Sequence, residues 1–398
     1  MLVLSCVRVA VAVLPCLVNG VATLANTDYT DVADKYIITL KPDADMHQHI
    51  RLVQDMHTKS LFRRENNQVF DGVSHQYNIS SFRGYAGHFD RAVVEQLKTH
   101  DDVAHVEADR IFTASGFETQ RNAPYSLNLI SHRGVDKKSQ AEGYVYDSSS
   151  GAGTWAYIVD SGVNVGHQEF QGRATNGYNA MRPEPMTDTF GHGTQMAAIV
   201  GGKTFGVAKR TNLVAVKVMK GHQVVASKVV DGYQWAARDI ISNRRQAKAV
   251  INMSVGGGYV KALWDAINDS YNNGVTTVVA YANRGEQAAW PRSAIAVSAT
   301  DKNRKWARVS DRGARTTIWA PGANVMSAYI GSNAATKAVS GSSPAAAHVS
   351  GLVAYLKGMR RLPDAKQTQN TLINLAVPNV VKDAGEAPNL FAYNGSGR

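Results

Sequence analysis

Five apolar runs with strand character alternate along the chain with segments of helical periodicity. The runs are 154–159 (TWAYIV), 212–218 (NLVAVKV), 249–254 (AVINMS), 275–280 (VTTVVA) and 294–299 (AIAVSA). The helical patterns lie at 192–201, 224–243 and 260–273, and a longer one at 343–359 follows a Gly/Ser turn. A strand that is apolar at nearly every position needs cover on both faces, and an intervening helix supplies it. The predicted fold class is therefore α/β, a mainly parallel sheet flanked by helices. In such a sheet, functional groups gather at the carboxyl ends of the strands.

The segment before this region has a different texture. From Tyr36 the text YIITLKPDA reads as a strand ending in a turn, followed by helix over 44–66, strand over 76–89, helix over 90–100 and strand over 103–107. That pattern describes a small α+β domain. The polar, Gly-containing stretch 113–123 reads as the linker behind it. Charge divides along the same line. Residues 21–117 carry 10 basic and 14 acidic side chains, whereas 118–398 carry 32 basic and 18 acidic. Opposite signs favour association of the two parts. The basic excess has no Lys/Arg block of five, no zinc-finger spacing and no RNP-like strand, so nucleic acid is not an expected partner.

Residues 1–22 are apolar, broken by Arg8 and Pro15 and followed by small residues, the pattern of a secretory signal cut between 20 and 25. The alternative is a single membrane anchor. Pro15 and the short apolar length argue against it, so no membrane association is expected after signal removal. Both cysteines, Cys6 and Cys16, fall inside that segment. The secreted, extracellular chain would have no disulfide and would rest on core packing.

Three short motifs stand at strand or helix junctions. Asp160-Ser161-Gly162 follows the strand AYIV, Gly191-His192-Gly193-Thr194 opens a helix, and Gly341-Ser342-Ser343-Pro344-Ala345 opens another. Each is unremarkable alone: DSG is common, GHG can be a simple turn, and Ser343 can be a helix N-terminal residue. In combination they supply an acid, an imidazole and a hydroxyl. A serine hydroxyl needs a base within hydrogen-bond reach, and a carboxylate to hold that base in the right tautomer. Glycine neighbours permit tight turns and close backbone approach. A serine in the first turn of a helix has free N–H groups around it to meet an oxyanion.

In this order the motifs resemble the subtilisin-like serine proteases (peptidase S8), nearest to the secreted fungal proteinase K-type branch. The resemblance implies Asp160 as acid, His192 in HGTQ as base and Ser343 in GSSPAAAH as nucleophile. It implies that Asn283, in Ala280-Tyr281-Ala282-Asn283, is the oxyanion donor. Ser254, Val255 and Gly256, within Asn252-Met253-Ser254-Val255-Gly256-Gly257, would form the substrate edge, with Ala282 on the S1 wall. Residues 35–110 are similar to the inhibitor I9-type propeptide of the family. Ser131-His132-Arg133 and Ala320-Pro321-Gly322 match further family segments. The implied organisation is a signal peptide (1–22), an inhibitor and chaperone propeptide (23–120) and a catalytic domain (121–398). The implied protein is a zymogen of a secreted, monomeric serine endopeptidase acting on polypeptides. Its own propeptide is the intramolecular inhibitor, and cleavage starts the mature chain between 115 and 125.

The chain departs from the family at Gln195, Ala282, Ser342, Pro344 and Ala347. These changes keep open a second reading, a protease-like binding protein with impaired catalysis. Pro344 is compatible with a first helical turn. The methyl of Ala282 narrows S1, which implies small or medium P1 side chains; Tyr281 either crowds the same region or packs in the core. Asp188 either lines the cleft or lies in a solvated turn, and His348 is read as structural. No metal site is expected among His47, His49 and His57. The chemistry needs no cofactor. Structural calcium is left open, although Thr317 stands where proteinase K-type enzymes place a calcium-ligating Asp, so that site is expected to be absent. Glycosylation candidates are Asn78, Asn268 and Asn394, while the sequon at Asn252 is expected to stay bare.

Overall fold

A computed structural model describes residues 30–62, 70–111, 116–134, 141–255, 258–283 and 290–398. The chain divides into two compact units between Ala114 and Ser115. In the first unit, strands β1 (Thr30–Leu40), β2 (Gly72–Ile79), β3 (Phe82–His88) and β4 (Val103–Ile111) form an antiparallel sheet in the order β2-β3-β1-β4. Helices α1 (Met46–Phe62) and α2 (Arg91–Lys98) supply Val53, Val93 and Leu97 to a core with Ile38, Tyr85 and Phe89. Asp90 caps α2 by accepting the Ala92 N–H at 2.7 Å. The single strand expected over 76–89 is in fact a hairpin. Its turn has no glycine, because Ser80 itself adopts the left-handed conformation (φ 54°).

The second unit opens with β5 (Phe117–Gln120), α3 (Tyr125–Ser131) and β6 (Tyr144–Asp147), β5 pairing antiparallel with β6. Part of the expected linker is thus a strand. The remaining strands are β7 (Trp155–Asp160), β8 (Ala174–Asn179), β9 (Asn212–Lys217), the small hairpin β10 (Met219–Lys220) and β11 (Gln223–Val224), β12 (Ala249–Met253), β13 (Thr276–Ala280), β14 (Ile295–Thr300), β15 (Ile318–Pro321), the hairpin β16 (Val325–Ala328) and β17 (Thr336–Val339), β18 (Val377–Pro378) and β19 (Leu390–Phe391). The central sheet has nine strands in the order β18-β19-β15-β14-β13-β12-β7-β9-β8, parallel apart from β18. The five strands read from the sequence are its contiguous middle, β14-β13-β12-β7-β9.

Those five strands are apolar throughout because helices cover both faces. On one face, α4 (His192–Gly201) and α7 (Ser342–Met359) pack Ile199, Val349 and Leu352 against Ile158, Val250 and Val278. On the other, α5 (Ala226–Ser242) and α6 (Lys261–Asn272) pack Tyr233, Ile240 and Ile267 against Val159, Ile251 and Val279. A further helix, α8 (Ala365–Leu375), was not expected; Asp364 caps it by accepting the Gln367 N–H at 2.7 Å. Among the described residues no helix is long and apolar enough to cross a membrane.

Candidate active site

The neighbouring parallel strands β13, β12 and β7 end on one edge of the sheet, and the motif residues follow from those ends. Asp160 is the last residue of β7, Ser254 follows β12 and Asn283 lies just past β13. His192 is the first residue of α4 and Ser343 the second of α7. Glycine makes the His192 junction possible. A Cβ on Gly193 would come within 2.1 Å of the Gly162 carbonyl and 3.1 Å of the Asp160 Cβ. Only hydrogen at that position lets the Asp160 loop lie against the first turn of α4. Gly191 holds a positive φ of 92° with the Tyr329 ring beside it.

The acid and the imidazole are joined. His192 Nδ1 lies 2.8 Å from Asp160 Oδ1 and 2.9 Å from Oδ2. Asp160 is fully buried, and its Oδ1 also accepts the Ser161 N–H at 2.7 Å. Burial alone lowers the His192 pKa. The charge and hydrogen bond of Asp160, with a smaller contribution from Asp188, outweigh it and raise the pKa above the usual histidine value. An ionised carboxylate only accepts, so the proton sits on Nδ1 and the Nε2 lone pair is free to act as base.

Asp188 borders a cavity with Asn164 and Thr187 and is not a solvated turn. It is buried, and its Oδ1 accepts from Ser161 Oγ (2.9 Å), Phe190 N (3.0 Å) and Gly191 N (2.8 Å). Its Oδ2 accepts from Thr194 N (2.9 Å) and Thr194 Oγ1 (2.6 Å). Ser161 Oγ in turn accepts the Gly193 N–H at 3.0 Å. One carboxylate therefore fastens the Asp160 loop to the N-terminus of α4. Lys217, the register partner of Asp160, adds a second tie. Its buried Nζ donates to the carbonyls of Ser161 (2.7 Å) and Thr187 (3.0 Å). Neither role was read from the sequence, where a lone Asp and a Lys inside a strand carry no motif.

Ser343 is 8% exposed, and its hydroxyl donates to the Ser254 carbonyl at 3.2 Å. Ser254 Oγ donates back to the Ser343 carbonyl at 3.2 Å. Among the described residues no hydrogen bond joins Ser343 to His192. Asn283 is anchored beside the serine, because its Oδ1 accepts from Ser342 N (2.9 Å) and Ser342 Oγ (3.1 Å). With Oδ1 engaged, the donor end Nδ2 is what Asn283 can offer. Pro344 removes no helical bond, since the first N–H groups of a helix have no partner within it. His348 is buried, donates Nδ1–H to the Pro344 carbonyl (2.8 Å) and is pushed down to about 4 by burial, so it stays neutral. Gln195 is buried and donates its amide to the Lys337 carbonyl at 3.1 Å.

Val255 and Ala282 are both buried at 6% exposure, while Gly256 lies outside the described residues. Tyr281 belongs to the core shared with Ile251 and Val279. Trp290 donates its indole N–H to the carbonyls of Ala280 (2.8 Å) and Tyr281 (3.2 Å). Thr317 Oγ1 accepts the Ala296 N–H at 3.1 Å, and Arg292 and Arg315 line the cleft beside it. Asn78 and Asn268 are exposed. Asn394 corrects an expectation. It is 1% exposed and its Nδ2 donates to the Val145 carbonyl at 2.8 Å, so the folded unit has no room for a glycan there. Asn252 is buried between Ser254 and Ser350.

Known proteins similar to this one cover most of the chain. The pattern of the subtilase family matches residues 151–396, and that of peptidase inhibitor I9 matches residues 35–115. Alkaline protease 1 of Aspergillus flavus is 40% identical over 395 residues, covering 97% of each chain. Alkaline protease 1 of Aspergillus clavatus is 42% identical over the same length and coverage. A crystal structure of a cold adapted subtilisin-like serine proteinase superposes with a TM-score of 0.64 at 30% identity. It covers 69% of this chain and 98% of its own.

Proposed function

The chain belongs to the subtilase family, and from that premise we propose that Asp160, His192 and Ser343 are its acid, base and nucleophile, with Asn283 as oxyanion donor. The protein is a secreted serine endopeptidase of the subtilisin type, made as a zymogen with an I9-type propeptide. The observation that carries the residue assignment is the buried Asp160 carboxylate bonded through both oxygens to His192 Nδ1.

The chemistry follows from that bond. When a peptide enters, the Ser343 hydroxyl turns from the Ser254 carbonyl to His192 Nε2, which takes its proton as Oγ attacks the scissile carbonyl. Asp160 holds the ring and stabilises its cationic form. The oxyanion receives Asn283 Nδ2–H and the Ser343 N–H, an unpaired amide at the positive end of α7. His192 then gives the proton to the leaving amine. Water, deprotonated by the same nitrogen, hydrolyses the acyl-enzyme and frees Ser343. Ser254 and Val255 follow β12 as the edge to which the substrate backbone adds, an edge to which the family motif also assigns Gly256.

The propeptide, an I9-type domain, acts on this reading as the intramolecular inhibitor. The family's Asp-type calcium site has no counterpart at Thr317, and the reaction draws on no metal. The methyl of Ala282 makes S1 narrow, so Ala at P1 is expected to outperform Phe in a matched peptide series; the reverse order would refute the narrow pocket. The assignment itself is tested with purified mature protein and its Ser343→Ala variant. Wild type should cleave an unstructured polypeptide and the variant should lose at least about 10⁴-fold in kcat. Equal activity in both would end the proposal.

A further inference from the structure

The propeptide unit holds seven of the twelve histidines of the chain. Three potential metal ligands meet there that are remote in sequence. His49, on the first turn of α1, faces His100 and Asp102, in the turn between α2 and β4. His49 Nδ1 is 3.1 Å from Asp102 Oδ2, and His100 Nδ1 is 3.7 Å from the same oxygen. All three ligand atoms lie within 4.8 Å of one another, and the two imidazole rings meet edge to face with centroids 4.9 Å apart.

We infer that His49, His100 and Asp102 form a binding site for a divalent transition metal, best suited to Zn²⁺. Two imidazole nitrogens and one carboxylate oxygen favour zinc-like ions over Ca²⁺ or Mg²⁺, which seek all-oxygen shells. Ligand bonds of about 2.0–2.2 Å in a tetrahedron place neighbouring ligand atoms about 3.3–3.6 Å apart, near the 3.1 and 3.7 Å that separate Asp102 Oδ2 from the two imidazole nitrogens. Ion binding exchanges hydrogen bonds for coordination bonds. His100 Nδ1 is unprotonated, and an ion there displaces the Asp102 N–H that now binds it at 3.2 Å. His49 Nδ1 shares a proton with Asp102 Oδ2, which an ion replaces, and Nε2, 3.2 Å from the Tyr85 hydroxyl, then donates to that hydroxyl as the outer bond that orients the ring.

The frame is fixed before any ion arrives. The Val103 N–H binds the His100 carbonyl at 3.0 Å and the Lys41 N–H binds the Asp102 carbonyl at 2.8 Å. His49 is 1% exposed, while Asp102 keeps a solvent-facing side through which an ion and a fourth, water ligand can enter. A metal here would clamp α1 to the turn before β4 within the propeptide.

The test is isothermal titration of Zn²⁺ into the full-length Ser343→Ala zymogen, with intact mass measured first to establish that the propeptide is attached, so that failure of the catalytic assignment and failure of the metal site are read separately. Binding should saturate at one ion per chain. His100→Ala and Asp102→Asn should each weaken it by about 10- to 100-fold, and His105→Ala, an exposed histidine on β4, should leave it unchanged. His100 is part-exposed, and circular dichroism of each variant checks its fold. Absence of saturable binding in the parent zymogen overturns the site, as does equal affinity in folded His100→Ala and Asp102→Asn.

Discussion

Two carboxylates surround His192, and they do different work. Asp160 meets the imidazole directly, whereas Asp188 never touches it and instead binds the backbone on which it stands. The charged groups facing the ring are Asp160 and Asp188, with the Lys217 amine holding the Asp160 loop from behind. Since the His192 pKa is raised, its basic form is lost on acidification at a pH above the ordinary histidine value of 6.5. The acid limb of kcat/KM should fall there. Replacing Asp188 by Asn removes one of the raising charges and unfastens part of the loop. Asp188→Asn should therefore move the acid limb to lower pH and reduce kcat/KM by about 10- to 100-fold. A pH–rate profile with an unmoved limb would confine Asp188 to packing. Asp160, His192 and Ser343, the proposed triad, were legible because each stands within two residues of a glycine at a strand or helix junction. Asp188 was not, because four of its five hydrogen bonds go to Phe190, Gly191 and Thr194 as in any Asp-initiated turn, and the one that reaches the Asp160 loop, from Ser161, is 27 residues away. His49, His100 and Asp102 were hidden in the same way, 53 residues apart at the widest.

At the scale of elements, legibility follows burial. Strands β7, β9, β12, β13 and β14 are covered on both faces and spell themselves as apolar runs. Strand β8 lies at the edge of the sheet with Thr175, Asn176 and Gly177 exposed, so its text ATNGYN carries no strand signal. Helix α3 shows a dependence of another kind. The Leu129 carbonyl in its last turn and the His132 and Arg133 carbonyls just past its end face the buried Arg304, whose guanidinium donates to Arg133 O (2.6 Å), Leu129 O (3.2 Å) and His132 O and lies over the Phe391 ring at 4.5 Å. Burial pushes the Arg304 pKa down to about 10, so it stays charged at neutral pH and offsets the negative end of the helix. Arg304→Met would fill much of the volume and leave three carbonyls without that donor. We expect a loss of about 3 kcal/mol, read by urea unfolding of the mature domain after inactivation with a fluorophosphonate. A loss below about 1 kcal/mol would show that other donors or water replace the guanidinium.

At the scale of the whole molecule, the question is where the two units are parted. Strand β5 pairs with β6, Tyr146 OH donates to Glu118 Oε2 at 2.8 Å and Gln120 Nε2 donates to the Thr204 carbonyl at 3.1 Å. Cleavage that preserves these bonds has to fall before Phe117. We expect intact-mass analysis of the secreted protein to find a mature chain starting at 115–117. A start at 121 or later would mean that β5 is shed and its bonds are dispensable. The charge contrast between the two parts was visible in the composition. The strand inside the expected linker was not, because FETQ is polar and pairs with a partner more than 20 residues away.

The most direct test of the account is where a serine-directed reagent lands. Mature protein treated with a fluorophosphonate and digested should yield a single adduct, on Ser343. Labelling should slow as pH falls through the raised His192 pKa and be lost in His192→Ala. A folded, processed protein whose Ser343 stays unmodified, or is modified equally fast without His192, would contradict it.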